Sequence, residues 1–165
     1  MDKIEIYGDN RFPKYSKVRE ACRGIVIKSG NILLSYEVKS DQYFIPGGGV
    51  ESSESLEECA VREISEETGF LTKCADGFLT INEYYEEWLF ISHYFVCDII
   101  GETVRKLTKR EAEAGLTPVF IPFKDALKVF SKHGDYAPTD EMKRGAYLRE
   151  YKALLKFEEL YGEIK

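Results

Sequence analysis

Three glutamates, Glu63, Glu66 and Glu67, recur three and four residues apart in a stretch of good helix formers. Side chains at those intervals share one face of a helix. Leu56, Cys59 and Ala60 mark the apolar stripe of the first two turns, and Glu63 continues it. The face therefore begins as core and ends as carboxylates. Charge runs on helices are ordinarily solvated faces, but a solvated face does not fall on the stripe that should be buried. Like charges about 5–6 Å apart, at an effective dielectric near 20, repel by about 3 kcal/mol a pair. Glu66 and Glu67 also occupy the last turn, where the helix dipole disfavours anions. A hard divalent cation relieves both costs. Mg²⁺ prefers carboxylate oxygens and leaves positions for water and substrate phosphates, so the chemistry in prospect is that of a metal platform.

The elements around this helix must present the carboxylates. Ser55 is a good N-cap with Glu58 completing a capping box, and Gly69 is a good stop. Ahead of the helix, Gly47-Gly48-Gly49 lacks the lysine and hydroxyl residue of a phosphate-cradling loop and does not fit G-x-G-x-x-G. It reads either as a tight turn or as backbone that approaches an ion closely because no side chain intervenes. Ala21 to Lys28 and Ile32 to Val38 read as a hairpin turning at Ser29-Gly30-Asn31. The segment YFIPGGGV reads as a short strand ending in a loop. Phe78 to Asn82, Trp88 to Ile100 and Val119 to Ile121 read as further strands, the second buried on both faces. Helices are expected over Lys124 to about Lys132 and from Pro138-Thr139-Asp140 to about Tyr161. This pattern is α/β, a mixed sheet layered with helices.

At 165 residues the chain suits one domain, 1–165, with 1–16 as a loosely ordered lead-in and 139–161 as a C-terminal helix. A net charge of −6 argues against duplex nucleic acid, which needs a basic patch. A small phosphorylated ligand remains compatible, since a bound cation inverts local charge. The four cysteines form no C-x-x-C pair and have only His93 and His133 for company. Zinc and disulfides are therefore disfavoured, and buried reduced thiols are expected. No apolar segment reads as a signal or a membrane span, so the expected location is cytoplasmic.

Gly48, then Glu54, then Arg62-Glu63-Ile64, Glu66-Glu67 and Gly69-Phe70 resemble the box of the Nudix hydrolases at every fixed position. Phe70 stands where an aliphatic side chain is usual. The strand order also looks like the Nudix-type α-β-α sandwich, a mixed β-sheet between helices. The resemblance implies hydrolysis of a nucleoside diphosphate linked to another moiety, with Mg²⁺ or Mn²⁺. It implies that Glu63, Glu66 and Glu67 ligate metal and that the Gly48 carbonyl joins them. Arg62 would orient the glutamates, and Glu54 would support them. Glu63 is the first choice for helping to deprotonate the attacking water, which the ions would activate and hold in line. Family members often add a loop carboxylate, for which Glu111 and Glu113 are candidates, with a solvated loop charge as the alternative.

Markers of substrate lie outside the box. The proline that ADP-ribose enzymes tend to carry downstream is absent, because Pro118 is the first after Phe70. The extended motif of the coenzyme A type is also missing. The tyrosine of diadenosine polyphosphate enzymes is approximated by Tyr84 and Tyr85. Phe12, Tyr15, Tyr36, Tyr43, Tyr84, Tyr85 and Trp88 could stack on a base or pack in a core, and Tyr43 just ahead of the glycines is a pocket candidate. Arg23 and Lys39 could meet phosphates. The partner expected is thus a small nucleotide, with no duplex nucleic acid and no membrane, for a monomer or homodimer. A non-catalytic nucleotide sensor and an interaction module using the last helix are the competing classes.

Overall fold

The computed structural model describes residues 1–137 and 139–165. The chain begins with β1 (Asp2–Tyr7), β2 (Lys17–Ile25), β3 (Ile27–Lys28), β4 (Asn31–Glu37), β5 (Gln42–Phe44) and β6 (Gly47–Gly49). Helix α1 (Leu56–Thr68), β7 (Phe70–Tyr85), β8 (Trp88–Glu102), α2 (Lys109–Ala114), β9 (Leu116–Pro122), α3 (Phe123–Ser131) and α4 (Glu141–Tyr161) follow. A five-stranded sheet has the order β1-β7-β8-β2-β6. It is mixed, since β1 runs parallel to β7 and β2 to β8, while β7/β8 and β2/β6 are antiparallel. A second sheet joins β3, β4, β5 and β9 through β4.

Helices cover both sides. Under α1, Cys59, Ala60 and Ile64 pack with Cys22, Val26, Leu33 and Phe95. On the other side, Phe123 and Phe130 of α3 and Tyr147, Leu154 and Phe157 of α4 pack with Ile25, Leu34, Leu79, Ile81 and Tyr94. The result is the layered α/β architecture expected from the sequence. Alternation along β2 divides its side chains between these cores: Cys22 and Gly24 look toward α1, and Arg23 and Ile25 look toward α4.

Four expectations are corrected. The N-terminal segment is not a loose lead-in, because Asp2–Tyr7 pairs in parallel with Leu79–Tyr84; its partner lies far along the chain, so local pattern gave no sign of it. The three glycines are not a loop but strand β6, paired antiparallel with Ala21–Arg23. The hairpin expected from Ala21 is split at Val26, so that Ile25 and Ile27 serve different sheets. Cys74 and Cys97 are not reduced thiols; they face each other across β7/β8 and form a disulfide, whereas Cys22 and Cys59 are free and buried. Their separation of 23 residues carries no signal until the strand register is known. Helix α4 begins at Glu141 behind an Asp140 cap; of the expected Pro138-Thr139-Asp140 start, Pro138 lies outside the described residues. Among the described residues, no helix is long and apolar enough to cross a membrane.

Candidate active site

Helix α1 is held by its ends. The Ser55 hydroxyl accepts from the Glu58 N–H at 3.1 Å, and the Glu58 carboxylate accepts from the Ser55 N–H at 2.7 Å. Gly69 closes the helix at φ 77°, where a side chain would be strained. Between these caps Ile64 presses onto β2, and a Cβ on Gly24 would lie 2.3 Å from its terminal carbon. The last two turns are thereby brought over the glycine strand. A Cβ on Gly48 would sit 2.5 Å from the Glu63 carboxylate, so only glycine admits that approach. The Cys59 thiol, 3.6 Å from both the Gly48 and the Gly49 carbonyl oxygens, donates toward them from the same helix.

Arg62 is the hub. Its Nε and Nη2 donate to the two oxygens of Glu54 at 2.9 and 2.7 Å, a bidentate pair. Nη1 donates to Glu63 at 2.7 Å and to Glu66 at 3.2 Å, and Nη2 also reaches the Gly49 carbonyl at 3.0 Å. Its fork holds the Glu54 carboxyl down at about 2. One guanidinium therefore fixes two glutamates of the cluster, and Glu54 fixes the guanidinium.

Glu67 lies apart from this hub. It is buried, accepts from the Ser35 hydroxyl at 2.7 Å and from the Gly47 N–H at 3.4 Å, and among the described residues has no ion-pair partner. Burial, the largest cause, pushes its carboxyl up to about 8, with the charges of Glu63 and Glu111 adding to it against Ser35 and Arg23. The Glu63 carboxyl is also raised, chiefly by burial and further by Glu66 and Glu111, against Arg62. The donor set is hard oxygen, anionic and short of positive charge, which fits a divalent cation. The side chains do not converge on a single point: among the described residues, no three acidic, His or Cys groups form a metal-holding cluster. Both hydrogen bonds to Glu67 fall on one oxygen, Oε2, so Ser35 and Gly47 leave its other oxygen to an ion.

The other sequence candidates separate clearly. Glu111 caps α2, accepting from the Thr108 N–H at 2.8 Å, yet its charge is felt at both Glu63 and Glu67. Glu113 is exposed, 3.9 Å from Lys109, and plays no such part. Tyr43 packs against Tyr36 with ring centroids 4.6 Å apart and planes tilted by 33°, and lines a cavity of about 380 Å³ with Asp125, Lys128 and Tyr147. That is the opposite face of β4 and β5 from Ser35, so Tyr43 is not beside the glutamates. Arg23 donates to the Ile45 carbonyl at 3.1 Å and lies 3.9 Å from buried Glu150, while Lys39 stays exposed.

Sequence reasoning missed three contributors. Ser35 is a buried hydroxyl directly after the apolar run Ile32-Leu33-Leu34, and that change of type was the available signal. Cys59 was read as core, which it is, but its thiol also touches the glycine strand. Glu150 of α4 accepts from the Ile45 N–H at 2.6 Å, from the Tyr94 hydroxyl at 2.9 Å and from Arg149 at 2.8 Å, anchoring the approach to the glycines. No local pattern in the last helix marks that role.

Two curated relatives share part of this sequence. An RNA pyrophosphohydrolase of Wolbachia pipientis subsp. Culex pipiens is 45% identical over 51 residues, covering 29% of this chain and 32% of that protein. An ADP-ribose pyrophosphatase of Methanocaldococcus jannaschii is 36% identical over 86 residues, covering 49% and 51%. The chain thus spans about a third and about half the length of these relatives. A NUDIX hydrolase structure from Nitrosomonas europaea superposes with a TM-score of 0.58 at 16% identity, over 83% of this chain and 90% of that one, a likeness of fold. The family model of the NUDIX domain matches residues 18–141, most of the molecule and the whole of the glutamate site. The chain belongs to the Nudix family.

Proposed function

We propose that this chain is a divalent-metal-dependent hydrolase that cleaves the diphosphate bond of a nucleoside diphosphate linked to another moiety. The observation that carries the reading is Glu67: a buried carboxylate on the Gly47 N–H, within reach of the charge of Glu63, which itself lies against Gly48. Glu63, Glu66, Glu67 and the Gly48 carbonyl would hold Mg²⁺, or Mn²⁺ in its place. When bound, the ion supplies positive charge for the diphosphate and lowers the pKa of water. Arg62 orients Glu63 and Glu66, and Glu54 holds Arg62 in that pose. Glu63, with its carboxyl raised by burial, takes the proton of the attacking water. Glu111 supplies the further carboxylate from across the site.

The relatives named above are a pyrophosphohydrolase and a pyrophosphatase, which supports cleavage of a phosphoanhydride as the reaction class. The non-catalytic sensor accounts less well for the site, because a pure binder has no use for mutually repelling buried carboxylates. The test is phosphate release from a panel of nucleoside diphosphate derivatives, with and without Mg²⁺. Glu63→Gln and Glu67→Gln are expected to remain folded and to lose at least about 100-fold in turnover. Full activity in either purified variant removes that residue from the mechanism.

A further inference from the structure

We propose that the outer corner of the five-stranded sheet, at the turn joining β7 to β8, binds single-stranded nucleic acid. The inference is independent of hydrolysis. Residues 11–19 read RFPKYSKVR: four cations, no acid and two interleaved aromatic rings in a chain of net charge −6. This segment is pinned across the turn, with Gly8, Phe12 and Ser16 donating N–H groups to the carbonyls of Tyr84, Glu86 and Glu87 at 2.8, 2.9 and 2.8 Å. Phe12 and Tyr15 are consequently held in place while remaining 54% and 51% exposed.

The rings form a platform rather than a core. Tyr7 stacks on Tyr84 with centroids 5.1 Å apart at 12°, Tyr15 lies 6.1 Å from Tyr84, and the three line a cavity of about 690 Å³ with Phe12 and Trp88. Trp88 in turn stacks on Phe90 at 5.4 Å and 16°. Contiguous exposed apolar surface of this kind marks an interaction site. The cations select the partner. Arg11 and Lys14 line the cavity with one acid, Glu86; among the described residues Lys14 has no acid within ion-pair distance, and the Arg11 guanidinium lies 5.4 Å from the Tyr7 ring. Lys17, 5.3 Å over Trp88, is paired with Glu87. Exposed rings beside free cations suit unpaired bases and their phosphates, whereas bases stacked inside a duplex cannot reach the rings.

The platform is not the glutamate site. Tyr84 is three strands from β6 in the sheet and four residues along from the level of Gly48. At strand spacings of ~4.8 Å and a rise of ~3.3 Å that is about 20 Å.

Trp88 is the single tryptophan, so intrinsic fluorescence reads this surface directly. Titrations in EDTA, with no metal and no turnover, should show quenching by eight-nucleotide single strands of RNA and of DNA. With Arg11 and Lys14 engaged, log K should fall against log salt with a slope of about −1.4. Phe12→Ala with Tyr15→Ala should weaken binding at least about tenfold, and Lys14→Ala, which disturbs no packing, should flatten the slope by about 0.7. A duplex of the same sequence and AMP should each bind at least about tenfold more weakly. No quenching by single strands, equal binding of AMP or duplex, or unchanged binding in these variants overturns the proposal.

Discussion

Burial holds the Glu67 carboxyl near 8 against an ordinary 4.5, so the folded protein binds that proton more tightly than the unfolded chain does. Stability tied to the proton is fully present below pH 4.5 and is lost as the pH climbs through about 8. Replacing the carboxylate by an amide removes this titration while keeping an acceptor for Ser35 and Gly47. In EDTA, Glu67→Gln should match the native melting temperature near pH 4.5 and exceed it at pH 8.5 by roughly 10 °C. Thermal unfolding across that range checks it, and a difference that does not change with pH refutes the account. The residue that the proposed reaction needs would thus be the one the metal-free fold would better lose. The cluster itself was legible in the sequence because carboxylates on a core stripe violate the helical pattern. Its partner Ser35 was not, since one hydroxyl in a strand becomes meaningful only when the facing helix is placed.

Helix α1 shows how far local chemistry reaches: cap, box and stop all sit where their residue types put them. Strand β6 shows where it ends. Glycine has poor strand propensity, and Gly47–Gly49 is extended because Ala21–Arg23 pairs with it. The same limit hid the bond between Cys74 and Cys97, which depends on register alone. Two predictions follow from that pairing. Denatured but unreduced protein should titrate two thiols per chain and reduced protein four; four before reduction sinks the assignment. The double variant Cys74→Ala, Cys97→Ala should lose about 3 kcal/mol in urea unfolding, the loop-closure value for a loop of this length.

Across the whole molecule, α4 is tied to the glycine strand through buried charge. Arg149 lies 3.3 Å from Glu83 and 2.8 Å from Glu150, and Glu150 holds the Ile45 N–H two residues before β6. Removing one partner of such a set strands a buried ion. Glu150→Ala should therefore cost about 3–5 kcal/mol in urea unfolding, and a loss under about 1 kcal/mol would mean that the network carries little of the fold. Ser35 belongs to the four-stranded sheet and Gly47 to the five-stranded one, and Glu67 accepts from both. This single carboxylate works as a clasp between two otherwise separately wound sheets. If its other oxygen meets a cation, the clasp stays shut as the pocket fills, so ligand occupancy would be converted into stiffness at the seam of the molecule.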